Sequence, residues 1–213
     1  MKITDLKIQK RNQNRFNMFV DGEFVVGVSA NIVAKYGIYK ERDIETEELA
    51  LISEAAIFER FWNRTVKYLE SRLRSEYQVR QYIRKLYHQK RDDWIGKNVD
   101  FDLGKMEERI IEELLRFKII DDRAYAEAFI RDRTKMRPRG KILLVQELRS
   151  KGIDRKLANE VVNELIVDEG TLIADTLYKK YKVRELSRND RKKIDYLRRR
   201  GFSWDQISRL IND

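Results

Sequence analysis

The chain has 213 residues, 42% of them hydrophobic and 10% aromatic, enough to bury a core although 38% are charged. It has no cysteine, which excludes disulfide frameworks and thiolate metal sites, and no apolar run approaches the ~20 residues of a membrane span. A net charge of +10 suits a polyanion or an acidic protein surface, and equally a solvated helical face. That charge is uneven: residues 1–55 carry 8 Lys/Arg against 9 Asp/Glu, so the basic excess lies in the remainder. The N-terminus lacks the apolar stretch of a secretory signal, and with the missing cysteine this predicts a cytoplasmic protein.

Strands come first. Ile3, Leu6 and Ile8 suggest one, and Phe16, Met18 and Val20 alternate with polar neighbours in another. Asp21-Gly22 then leads into Glu23–Val28, a hairpin signal because both turn positions need positive φ. Short helices are expected over Asn31–Tyr36 and Thr46–Ser53, which makes residues 1–53 a small mixed β/α cap.

From about Glu54 the apolar period becomes 3.6 residues. Nine helices are predicted in three groups of three, at residues 54–120, 121–167 and 168–213. Within them Leu148-Arg149-Ser150-Lys151-Gly152-Ile153-Asp154 returns 49 residues later as Leu197-Arg198-Arg199-Arg200-Gly201-Phe202-Ser203. In both stretches a core Leu closes a basic helix, Gly stops it, an apolar residue follows and a cap opens the next helix. Tyr125-Ala126 and Phe129-Ile130 also return, as Ile173-Ala174 and Leu177-Tyr178. The fold class is therefore mainly α: three tandem three-helix repeats forming an elongated curved rod, behind a cap containing a β-hairpin.

Other signals set boundaries. Ser75-Glu76-Tyr77-Gln78 and Ser203-Trp204-Asp205-Gln206 both fit a capping box, Asp121-Asp122 opens a helix, and Ser187 opens the eighth helix. Lys90–Gly104 reads as a long loop, with Trp94 packed rather than functional.

Catalytic chemistry is not legible. His88 is the single histidine and sits at a helix end; neither a phosphate-cradling loop nor a dinucleotide glycine motif is present. Asp92-Asp93 and Asp121-Asp122 have no supporting acidic cluster, and Glu107-Glu108 with Glu112-Glu113 around Arg109 read as a solvated face. The chain is read as a non-enzyme with no cofactor and no metal.

Basic clusters carry more. Residues 64–91 hold nine Lys/Arg against two acids, 131–156 ten against three, and 179–200 eleven against three. Stacked repeats would align them as one basic ridge.

The ordered motifs resemble the RecX family, regulators of the RecA recombinase. Arg72-Leu73-Arg74-Ser75-Glu76-Tyr77-Gln78-Val79-Arg80 is similar to its R-x-R-S-x-x-E-L-R signature, with Gln78 and Val79 replacing Glu and Leu. Ile119-Ile120-Asp121-Asp122-Arg123-Ala124-Tyr125-Ala126 is similar to Y-L-D-D-x-x-[FY]-A. Gln146–Ile153 corresponds to E-L-x-x-K-G-I, and Leu197–Ser203 to the terminal L-x-R-R-G-F-[SD]. Departures are Lys118 where the family often has Gly, the Lys90–Gly104 segment in place of a short turn, and Arg137-Pro138-Arg139-Gly140 at the G-P element.

The resemblance implies a protein that lies in the groove of the RecA–single-stranded DNA filament and restrains strand exchange and ATPase activity in DNA repair and the SOS response. It implies weak, unselective binding to DNA alone, and the chain is read as a monomer with no membrane partner. The basic residues selected for contact to RecA or phosphate are Arg72, Arg74, Arg84, Arg131, Arg133, Arg137, Arg139, Lys141, Arg149, Lys151, Arg191, Lys192, Arg198, Arg199 and Arg200. The alternative is a stand-alone transcription regulator using a helix-turn-helix unit, which requires sequence-selective DNA binding.

Overall fold

A computed structural model describes residues 1–10 and 12–211. The chain is mainly helical with one small antiparallel sheet, and it divides into two compact units. One holds Met1–Arg72 and Val79–Ile119; the other holds Leu73–Gln78 and the chain from Ile120 onward. Among the described residues no helix is long and apolar enough to cross a membrane.

In the first unit, β1 (Ile3–Gln9), β2 (Asn12–Val20) and β3 (Glu23–Ser29) pair in that order, all antiparallel. The turn between β2 and β3 has Asp21 at φ 48° and Gly22 at φ 87°, both positive as an Asp-Gly hairpin requires. Ile3, Met18, Val20, Val26 and Val28 turn one face of the sheet inward. Helix α1 (Ala30–Tyr36) starts at Ser29, whose Oγ accepts from the Ile32 amide at 3.1 Å.

Helix α2 spans Thr46–Leu69 without a break, so the expected short helix over Thr46–Ser53 and the helix opening near Glu54 are one element. No breaker separates them, and Ile52, Ala56, Ile57, Phe61 and Thr65 continue a single buried stripe across the expected boundary. Helix α3 (Glu76–Trp94) likewise continues through the first third of the predicted Lys90–Gly104 loop, leaving only Ile95–Asp102 before α4 (Leu103–Arg116). Trp94 is buried; its ring meets Phe61 edge-on at 5.4 Å, and Arg60 stacks on it at 4.4 Å. Gly96 lies against β3, where an added Cβ would come within 2.2 Å of the Phe24 carbonyl oxygen.

The second unit holds α5 (Asp122–Met136), α6 (Lys141–Ser150) and α7 (Arg155–Leu165) around Ala126, Ile130, Leu144, Leu148, Val161 and Val162. Helices α8 (Glu169–Tyr181), α9 (Arg191–Arg199) and α10 (Trp204–Ser208) surround Ile173, Leu177, Leu186, Leu197, Phe202 and Ile207. Leu172 packs against both clusters.

The sequence echo is one hydrogen-bonded turn made twice. Leu148 O accepts from the Ile153 amide at 3.1 Å with Gly152 at φ 86°, and Leu197 O accepts from the Phe202 amide at 3.3 Å with Gly201 at φ 85°. The caps after it diverge. Asp154 accepts from the Lys156 and Leu157 amides, whereas Ser203 makes no side-chain cap, so the second expected capping box is not formed. The first is formed: the Gln78 amide donates to Ser75 Oγ at 3.3 Å and the Ser75 amide donates to Gln78 Oε1 at 3.2 Å. Asp121 caps α5 as predicted. Helix α9 begins at Arg191 rather than at Ser187; the Ser187 amide donates instead to the Asp190 carboxylate at 3.0 Å.

Candidate polyanion interface

One concentration of positive charge in the second unit arises from a close backbone approach. Helix α5 runs out at Met136, since Arg137 precedes a proline and the α conformation is disfavoured there. The Gly140 amide donates to Arg200 O at 2.8 Å, and Gly140 sits so near the turn after α9 that a Cβ would lie 2.1 Å from Gly201 O. Only glycine allows this approach. It brings the Arg137–Gly140 segment beside Arg200.

Helix α8 adds two lysines. Lys179 Nζ donates to the Lys135 carbonyl at 2.7 Å, capping the end of α5. Lys180 Nζ lies 4.0 Å over the Tyr196 ring, and the Arg200 guanidinium lies 5.1 Å over the same ring. Tyr181 meets Tyr196 edge-on at 5.6 Å. Two cations are thus ordered on one aromatic platform.

The result is a concavity of about 280 Å³ lined by Arg137, Lys179, Lys180, Arg200, Thr176 and Tyr196, with Met136 and Pro138. No carboxylate lines it. Burial first, and then the neighbouring Arg133, Arg200 and Arg137, lower the Arg139 guanidinium below its ordinary pKa. Such a site attracts an anion by charge and through its N–H donors; it holds no evident nucleophile or general base.

The predicted basic residues divide. Arg137 and Arg200 converge here. Arg133 and Arg139 point inward instead: both pair with Glu147 of α6, Arg133 at 3.0 Å. The near-alternation of cations from Arg131 to Lys141 therefore does not form one outward row, because α5 ends inside it and the two chain directions face Glu147. Arg131 pairs with Glu127 one turn earlier, and Lys141 Nζ donates to Asn163 Oδ1 at 3.1 Å. Arg84 lies in the first unit, bound through Nε to Glu107 at 2.7 Å, so it serves as an internal partner.

Glu107 corrects a second expectation. It is buried rather than solvated, and accepts from Arg80 and Arg84. Burial opposes its charge, but hydrogen bonds from Arg84 and Arg80 outweigh burial and hold the carboxyl below its ordinary pKa.

Arg72 is exposed and Arg74 half-buried. Arg149 and Lys151 sit at the far end of α6 from Gly140, about 15 Å away at 1.5 Å per residue. Arg191 and Lys192 open α9, while Arg198 and Arg199 close it beside Arg200; all four are exposed. The sequence alone does not single out Lys179, Lys180 or Tyr196, although both lysines belong to the 179–200 charge cluster.

Two parts of the chain match profiles of known families: residues 1–45 match the regulatory protein RecX N-terminal domain, and residues 121–162 match the second three-helix domain of RecX. The chain is 27% identical to regulatory protein RecX of Clostridioides difficile strain 630, over 99% of this chain and 94% of that one. It is 28% identical to that of Clostridium beijerinckii, over 99% and 94%. For Bacillus subtilis strain 168 the figures are 26% identity over 99% of this chain and 76% of the relative. A crystal structure of regulatory protein RecX shares the fold with a TM-score of 0.64 at 22% identity, covering 98% of each chain. The structure of RecX from Lactobacillus salivarius gives a TM-score of 0.54 at 25% identity, over 72% of this chain and 93% of that one.

Proposed function

We propose that this chain, which is similar to RecX regulatory proteins over nearly its whole length, binds the RecA–single-stranded DNA filament and restrains RecA strand exchange and ATPase activity. It acts by occupancy rather than by catalysis, as a cytoplasmic monomer without a cofactor. The observation that carries this reading is the carboxylate-free concavity in which Arg137, Lys179, Lys180 and Arg200 converge. Compact guanidinium and ammonium groups on an ordered frame fit phosphate oxygens or acidic protein side chains, both of which a nucleoprotein filament offers. Exposed Arg72, Arg149, Arg191, Lys192, Arg198 and Arg199 extend the contact, together with Lys151 and Arg74. Arg84, Arg131, Arg133, Arg139 and Lys141 contribute only by releasing their internal partners or by adding to the field.

In this layout residues 1–53 form the cap, and 54–120, 121–167 and 168–213 the three repeats. Repeats that touch several RecA protomers gain avidity, since later contacts are intramolecular. Sequence-selective readout by a helix-turn-helix unit is not favoured, because the gathered cations suit phosphate rather than base edges.

The test follows RecA ATPase on single-stranded DNA while this chain is titrated in. The expected result is a saturable fall in rate that the double variant Arg137→Glu, Lys180→Glu weakens at least tenfold in required concentration. An ATPase rate unchanged by saturating wild-type chain would sink the proposal.

A further inference from the structure

The first unit holds a second, chemically opposite site. A cleft of about 920 Å³ opens between the β2–β3 turn, the first half of α2, residues 98–102 and α4. Its floor is apolar: Val20, Phe24, Leu49, Ile57, Phe101 and Met106. A space of that size is at the upper end for ligand sites.

Its rim is acidic in a chain that is otherwise strongly basic. Two rim carboxylates have cations beside them: Glu54 pairs with Arg109 at 2.8 Å and Asp102 has Lys105 Nζ at 4.0 Å. Three others make no ion pair among the described residues, although Met1, with the terminal ammonium, also lines the opening. Asp21 accepts from the Lys2 backbone amide at 2.8 Å, Glu23 accepts from the Asn98 side-chain amide at 2.6 Å, and Asp100 is exposed. Neutral donors orient the first two carboxylates without cancelling their charge. Asp21 and Glu23 share the β2–β3 hairpin and Asp100 lies on the 98–102 segment, and among the described residues no three carboxylates are grouped closely enough to hold one metal ion.

We propose that this cleft docks a basic segment of a partner protein, which inserts one or two large apolar side chains onto the Leu49–Ile57 floor and sets Lys or Arg against Asp21, Glu23 and Asp100. Charge complementarity selects that occupant: nucleic acid is repelled here, and an acidic segment would meet like charge. The site is independent of the polyanion surface of the second unit and does not rest on its reading.

Full-length chain is titrated into three fluorescently labelled peptides of equal length: an amphipathic Leu/Lys sequence, its Leu/Glu counterpart and a Lys/Ser sequence without apolar anchors. Saturable binding of the Leu/Lys peptide alone is expected. Two variants accompany the wild type. Ala50→Trp fills the cleft from an exposed position of α2, and Glu23→Gln with Asp100→Asn removes charge while keeping shape. Each is expected to weaken Leu/Lys binding at least tenfold, with the circular dichroism spectrum and the thermal unfolding midpoint retained. No binding of the Leu/Lys peptide, equal binding of either control peptide, or undiminished affinity in Ala50→Trp would overturn the proposal. So would concentration-dependent self-association abolished by Ala50→Trp, which would make a second copy the occupant.

Discussion

The turn that repeats at Gly152 and Gly201 also closes α1 at Gly37, and it closes α4 with the wrong residue in it. At the end of α4, Leu114 O accepts from the Ile119 amide at 2.8 Å, and Lys118 occupies the left-handed position at φ 54°. A non-glycine residue there costs roughly 1–2 kcal/mol. Lys118→Gly is therefore expected to stabilise the first unit by about 1 kcal/mol after the added chain entropy of glycine, measured as a higher urea midpoint at unchanged slope. The reverse exchange is harsher. Gly201→Ala places a Cβ 2.4 Å from Leu143 Cβ in addition to the φ penalty, and should lower stability by about 2 kcal/mol or more. At this scale the sequence was readable wherever a local pattern governs: Gly152, Gly201, Asp121 and the Ser75–Gln78 box all do what their spacing predicts. Ser203 fits the same capping pattern and makes no side-chain cap, so the pattern alone does not guarantee the bond.

Elements were legible by period, and misjudged where the partner lies far along the chain. The 3.6-residue stripe locates α3 and α4, yet nothing local says that Glu107 faces Arg80 and Arg84, 27 and 23 residues earlier. Glu-rich spacing around Arg109 looks solvated until α3 is laid beside it. The pairing has a pH consequence. The folded-state pKa of Glu107 is depressed, so its stabilisation is present above the ordinary carboxyl pKa and is lost as pH falls through the folded value. Glu107→Gln should cost about 2 kcal/mol at neutral pH, because two guanidinium groups lose a charged acceptor. It should also flatten the loss of stability on acidification below about pH 4.5. Equal acid sensitivity in wild type and variant, followed by chemical denaturation, would remove this ion cluster from the account. The same distance effect hid the inward turn of Arg133 and Arg139, since Glu147 lies on the next helix.

At the scale of the whole molecule, charge separates by region. An acid-rimmed cleft lies in the first unit and a carboxylate-free basic concavity in the second. The composition held the sign of this asymmetry, since residues 1–55 lack the basic excess of the rest. It could not hold the concavity itself, which exists because Gly140 and Gly201 allow two turns to touch and because Tyr196 orders Lys180 and Arg200. Those are long-range contacts with no local motif, so the sequence points to Arg133 and Arg139 and not to Lys179 and Lys180. If the concavity meets phosphate, its loss changes the ionic linkage as well as the affinity. Each phosphate contact to a single strand contributes about 0.7 to the slope of log affinity against log salt. Arg137→Glu with Lys180→Glu should lower that slope by about 1.4.

The most direct measurement sediments RecA filaments on single-stranded DNA with this chain over a range of salt, comparing wild type with that double variant. The account predicts that wild type pellets with the filament, that binding weakens steeply as salt rises, and that the variant stays largely in the supernatant at physiological salt. Wild type left in the supernatant, or a variant that pellets as well as wild type with the same salt dependence, would contradict it.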